Sequence, residues 1–106
     1  MQRNPEIVSL TETWLGEELD SSVLDVPEYF VFRQDRDSRG GGVAILVKKC
    51  LNPELVGSYS AMGTEAIVVD IHFAERVLRV VNVYRPTHSV DIKPLLSFVE
   101  LHLNTM

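Results

Sequence analysis

Val43-Ala44-Ile45-Leu46-Val47 is apolar at every position and directly follows Gly40-Gly41-Gly42. A strand with one face in water alternates apolar and polar residues, because successive side chains point to opposite faces. A run without alternation needs both faces covered, which places it inside a sheet with packing above and below. The chain must therefore fold in layers around this segment. The glycine triplet reads as a turn needing positive φ, with its backbone close to a neighbour. It lacks the spacing and the Lys-Ser/Thr pair of a phosphate-binding P-loop.

The other segments supply the layers. Ile7-Val8-Ser9-Leu10-Thr11 is a short β-prone run that ends at Glu12-Thr13-Trp14-Leu15-Gly16. Glu17 to Val26 is acidic and turn-rich, and Pro27 precedes a second strand candidate, Tyr29-Phe30-Val31-Phe32-Arg33. Beyond Cys50, Asn52-Pro53 and Gly57 predict a connection with a brief strand at Leu55-Val56. Ile67, Val69, Ile71 and Phe73 then alternate with Val68, Asp70 and His72, a period-2 pattern with one apolar face. Ala74-Glu75-Arg76 predicts a hairpin returning through Val77 to Tyr84, and Arg85-Pro86-Thr87-His88-Ser89 breaks that strand.

At the end the period changes. Ile92, Leu95, Leu96, Val99 and Leu103 fall on one face of a helix. Asp91 as N-cap places Pro94 at the third helical position, where its missing donor has no intrahelical partner. Strands first and one helix last predict an α/β class with a mixed, α+β-like sheet and too few helices to cover it. A half-covered sheet is a first sign that a covering layer is missing.

The 106 residues allow one small domain. With 45% hydrophobic and 24% charged residues the composition opposes disorder. No apolar run approaches the roughly 18 residues of a membrane span, and Met1 to Glu6 has no apolar core of a secretory signal. A single cysteine, Cys50, excludes an internal disulfide and a multi-cysteine zinc site, and predicts a buried or incidental thiol. The net charge of -5 divides into -6 over residues 1–28, +3 over 29–49 and -2 over 50–106. That total opposes a dedicated basic nucleic-acid binder, yet leaves room for a local basic loop that meets phosphate.

Some polar residues stand where a site would collect them. Glu12 follows the first strand, and Tyr84 and Arg85 end another. Side chains at the carboxyl ends of strands stand on a rigid frame and reach solvent. A carboxylate there suits Mg²⁺, which often takes one or two protein carboxylates and fills its shell with water and phosphate oxygens. Tyr84 has a hydroxyl for a phosphate oxygen, and Arg85 a guanidinium fork. Taken singly, each has a plainer reading: a solvated strand end, a half-buried aromatic closing a core strand, a surface charge. His72, His88 and His102 show no metal-ligand spacing, and only His88 is near Tyr84 in sequence.

In order along the chain, Thr11-Glu12-Thr13-Trp14-Leu15, Tyr29 to Arg33, Asp35-Arg36, Arg39 to Ile45, and Asn82-Val83-Tyr84-Arg85-Pro86 resemble the endonuclease/exonuclease/phosphatase superfamily. Within it the sequence is most similar to the apurinic-like endonuclease domain of non-LTR retrotransposons. The resemblance covers about residues 5–103. It implies a partial two-sheet, four-layer α/β sandwich of the DNase-like fold, comprising its first half. It also implies Mg²⁺-dependent cleavage of phosphodiester bonds in DNA and a nuclear place of action. By that resemblance Glu12 is the metal ligand and Tyr84 contacts the scissile phosphate, while Arg85, Thr87 and Arg39 are contacts to phosphate or nucleic acid. Thr87 stands where relatives often carry an asparagine, and the glycine run with Arg39 corresponds to a stretch between two strands.

Residues 1–106 then read as a single partial domain, without the family's first strand and its C-terminal half. The family's glycine-aspartate-phenylalanine-asparagine and serine-aspartate-histidine stretches do not occur in the 106 residues. In-line attack on phosphate needs a positioned water, a base and charge stabilisation. The expectation is an endonuclease fragment inactive alone, with weak metal affinity. Loss of the fold's second half would also leave apolar faces at Val43–Val47 and Val77–Val83 in need of a partner, so the isolated chain is expected to self-associate. The alternative is a non-catalytic binding module on part of the same fold. A phosphatase or phospholipid-directed relative is disfavoured by the tyrosine-arginine-proline stretch and Trp14.

Overall fold

The computed structural model describes residues 5–11, 13, 26–35, 41–61, 63–85 and 92–105. Among them are six strands and one long helix: β1 (Ile7–Thr11), β2 (Tyr29–Gln34), β3 (Val43–Lys48), β4 (Pro53–Ala61), β5 (Thr64–His72), β6 (Val77–Tyr84) and α1 (Lys93–Asn104). The strands form two three-stranded sheets of order β1-β3-β2 and β4-β5-β6, and all four pairings are antiparallel. The fold class is α/β in the coarse sense, strands with one terminal helix, but neither sheet mixes parallel with antiparallel pairing.

The apolar run takes the position its composition requires. β3 is the middle strand of the first sheet, and Val43 to Val47 are no more than 5% exposed. Val43, Ile45 and Val47 pack against Ile67, Val69 and Ile71 of β5, the middle strand of the second sheet. The two sheets thus bury each other's inner faces. The open face expected at Val43–Val47 does not exist, because the second sheet closes it. On β6 Val80 and Tyr84 likewise pack against that core, while Val77, Leu78 and Val83 are exposed.

β5 is buried from Thr64 to Ile71, including its polar members. Period 2 marked only its inner face, because the outer face is covered by α1 and not by water. β4 is much longer than the brief strand expected. It runs nine residues through Gly57, with its register shifted between Leu55 and Gly57. A glycine within a strand commonly marks such a bulge or a close approach, and here it marks both. A Cβ on Gly57 would lie 2.5 Å from Nε2 of His102.

That contact also turns α1. The buried or half-buried positions are Leu95, Phe98, Val99 and His102, whereas Leu96 and Leu103 are exposed. The helix therefore docks through an aromatic and a histidine, rotated from the purely aliphatic face that its pattern suggested. Phe98 packs on Tyr59 and His102 at ring-centroid distances of 5.5 and 4.3 Å. The helix starts at Lys93 with Pro94 in its first turn, Ile92 taking the N-cap position. Asp91 lies outside the described residues.

The far end of α1 is tied down by charge. Arg79 on β6 donates from Nε and Nη2 to the two carboxyl oxygens of Asp70, each at 2.7 Å. Its Nη1 donates to the carbonyl of His102 and to Oγ1 of Thr105 at the helix C-terminus, where carbonyls lack intrahelical donors. The hydrogen bonds from Arg79 hold the Asp70 carboxyl below the usual carboxylate range, and those from Asp70 raise Arg79. A depressed carboxyl contributes stability above its unfolded pKa, near ~4, and loses it as pH falls through the lower folded value. Asp70→Asn is therefore expected to be less stable than wild type at neutral pH, with the difference closing below pH ~4. Urea titrations at pH 7 and at pH 3 check this.

Candidate active site at one end of the sandwich

β1 and β6 end, and β3 and β5 begin, at the same end of the sandwich. Thr11 is in register with Val43, and Glu65 with Tyr84. The two sheets meet there through a polar contact: the amide of Gly42, just before β3, donates to Oε1 of Glu65 at 2.6 Å. The carbonyl of Gly42 accepts a long bond, 3.4 Å, from the amide of Thr13. Thr11 and Thr13, the chain neighbours of Glu12, are thus both set against the start of β3.

The glycines do what their sequence suggested. Gly41 and Gly42 have φ of 66° and 91°, and a Cβ on Gly42 would lie 2.5 Å from Oγ1 of Thr13. That hydroxyl is buried and finds no hydrogen-bond partner among the described residues. Tyr84 is half-buried and packs on the inter-sheet core, and Arg85, one residue further, is exposed. Glu12, Arg39 and Thr87 lie outside the described residues, as do Trp14 and His88. Of the five candidate site residues, Tyr84 and Arg85 have described positions, and both are at this end.

Two residues not singled out as candidates bind the end together. Glu65 is fully buried, and Asn82 is 5% exposed. The Nδ2 group of Asn82 donates to the carbonyls of Leu10 in β1 at 2.9 Å and of Ala44 in β3 at 3.1 Å. Both of its protons then reach across the sandwich from the second sheet to the first. The signal for both residues was the period itself. Glu65 precedes Ile67, Val69 and Ile71 on the same alternate positions, and Asn82 lies between Val80 and Tyr84, so each interrupts an inward-facing series. Buried polar groups in such positions need partners.

Elsewhere, His72 is exposed beside Glu54, 3.2 Å from Oε1, and His102 packs under α1. Cys50 is exposed, not buried, on the 3-10 turn Lys49–Leu51. A cleft of about 440 Å³ lined by Pro5, Val8, Tyr29 and Leu46 opens near the opposite end of the first sheet, where Tyr29 is in register with Lys48. Among the described residues, no three His, Cys, Asp or Glu side chains gather to hold a metal. Among the described residues at this end, the orphaned buried hydroxyl of Thr13 is a hard oxygen donor of the kind Mg²⁺ takes, and no soft donor stands beside it. No protein-family model matches the chain, and no curated protein matches it.

No helix among the described residues is long and apolar enough to cross a membrane.

Proposed function

We propose that the chain is part of a Mg²⁺-dependent, phosphodiester-cleaving endonuclease domain of retrotransposon type, acting on DNA in the nucleus and inactive as these 106 residues alone. One observation carries this reading: Tyr84 and the two neighbours of Glu12 stand at one end of a two-sheet sandwich, linked through Gly42 and Glu65. Residues 73 apart in sequence, in two different sheets, thereby belong to one small region, as a shared site requires. When bound, Mg²⁺ supplies charge neutralisation at the phosphate. Glu12 would hold it, the Tyr84 hydroxyl would donate to a phosphate oxygen, and Arg85, with Thr87 and Arg39, would bind the DNA backbone. Self-association is part of the reading, through the exposed residues Val77, Leu78 and Val83 of the edge strand β6.

Plasmid nicking tests it. The reading frame extended by its flanking coding sequence, so as to carry the missing motif stretches, is expected to nick supercoiled plasmid with Mg²⁺. Glu12→Ala should abolish nicking. Tyr84→Phe, which removes one hydrogen bond to a charged group, should slow it roughly ten- to a hundredfold. The 106-residue chain should nick no faster than its Glu12→Ala variant. Glu12-dependent nicking by the short chain would overturn the inactivity. Flanks without the two motif stretches would favour the binding-module alternative.

A further inference from the structure

We propose that the cleft on the outer face of the first sheet binds a small organic cation, an amine with an apolar body, and that Glu28 takes its positive charge. This goes beyond the nuclease reading and does not depend on it. The cleft measures about 440 Å³, within the usual range for small-molecule sites. Val8 and Leu46, partners in register across β1 and β3, supply its apolar base. Leu46 alternates with the inward Ile45 and Val47, so this base faces away from the inter-sheet core. Val26 and Pro27 line the cleft from the chain ahead of β2. The Tyr29 hydroxyl donates to the Pro5 carbonyl, which ties the start of β2 to the chain ahead of β1. Among the described residues that line the cleft, Glu28 is the one with a charge.

The backbone at Glu28 marks this carboxylate as unusual. The Tyr29 amide donates to the Val26 carbonyl at 3.2 Å, closing a turn with Pro27 second and Glu28 third, at a φ of 72°. That is the pattern of a type II turn, whose third residue is ordinarily glycine or asparagine. A residue with a Cβ is disfavoured in this left-handed region. The turn is also pinned from the other side, because the Glu28 carbonyl accepts from the Lys49 amide at 2.9 Å. In return the Glu28 side chain gives the fold no polar contact. It is exposed, and its carboxylate makes no hydrogen bond or ion pair with another described residue. Residues held in strained backbone cluster at ligand clamps and other functional sites. Apolar walls beside one unpaired carboxylate define the ligand: an apolar body for the base and an ammonium for Glu28. A neutral or anionic molecule of the same shape meets only half of that site.

Titration of the full 106-residue chain, followed through the amide resonances of Val8, Tyr29 and Leu46, tests this with phenethylammonium, phenethyl alcohol and hydrocinnamate. Phenethylammonium is expected to shift these resonances together, with a Kd of about 1 mM or tighter, ordinary for a ligand of this size. Phenethyl alcohol should bind roughly three- to tenfold more weakly, the share of one partly exposed, charge-assisted contact. Hydrocinnamate should bind more weakly still. Glu28→Gln should bring phenethylammonium down to the affinity of the alcohol and leave the alcohol's own affinity unchanged. Equal binding of ammonium and alcohol by wild type overturns the proposal. So does a failure of phenethylammonium to shift these resonances, or an undiminished affinity in Glu28→Gln. Glu28→Gly gives a second readout that needs no ligand. Glycine suits the left-handed position, so this variant should unfold at the same urea concentration as wild type or a higher one. A lower midpoint would mean that the Glu28 side chain serves the fold, and the proposal would fall.

Discussion

Gly42→Ala is expected to destabilise the chain by about 2–4 kcal/mol, the combined cost of a left-handed backbone for a residue with a Cβ and of overpacking in a closed region. The two contributions are separable in this molecule. Gly63 has a φ of 79° with nothing within 4 Å of a would-be Cβ. Gly63→Ala therefore reports the backbone cost alone, about 1–2 kcal/mol. At Gly42 the extra methyl meets Thr13 Oγ1 at 2.5 Å, while the Cβ of Thr13 is at 3.8 Å, an ordinary contact distance. Removing the hydroxyl by Thr13→Ala should then make room. The cost of Gly42→Ala in the Thr13→Ala background should fall to that of Gly63→Ala. Urea unfolding of the four variants gives the cycle directly. A cost at Gly42 that ignores the residue at 13 would mean that the strand end carrying Glu12 is not set against this turn.

The same end of the molecule shows what the sequence could and could not reveal. Val43–Val47 announced a central strand, because an unbroken apolar run is only soluble when covered on both faces. The positive φ of Gly41 and Gly42 followed from the glycine triplet, since no other residue adopts it cheaply. What covers each face was not legible. Covering is a tertiary matter, and the alternation in β5 predicted water on a side that α1 occupies. The face of α1 was misjudged for a related reason: hydrophobic periodicity gives no weight to histidine, whereas His102 docks because Gly57 opposite it has no side chain. Glu65 and Asn82 were legible only as interruptions of inward-facing series, and their meaning depended on which backbone groups the other sheet would bring. Cys50 carried no pattern, and its exposure on a short turn could not be anticipated.

Ile67→Ala should be the most damaging single truncation in the core, at about 2–5 kcal/mol, the usual range for removing a buried isoleucine side chain beyond Cβ. Domains of this kind are stable by only ~5–15 kcal/mol, so a large share of the total is at stake. Ile67 has no exposure, belongs to the middle strand of its sheet, and faces the Val43, Ile45 and Val47 face of β3. Among the described residues no strand ladder joins the two sheets. They are held together by inner-face packing and by a few polar bonds, among them those from Asn82 and Glu65. A cavity at Ile67 weakens that packing directly, beside the register position of Asn82. The midpoint of thermal unfolding should fall by roughly 8–40 °C, at about 4–8 °C per kcal/mol for a domain near this size. Leu101→Ala on the exposed side of α1, where the residue is 60% exposed, should change stability by no more than about 0.5 kcal/mol. Because both sheets share this one core, amide exchange protection of Val47 in β3 and of Val69 in β5 should be lost together in wild type as urea rises. Separate transitions would mean that each sheet holds itself, and the end shared by Thr11, Thr13 and Tyr84 would then not be built as one unit.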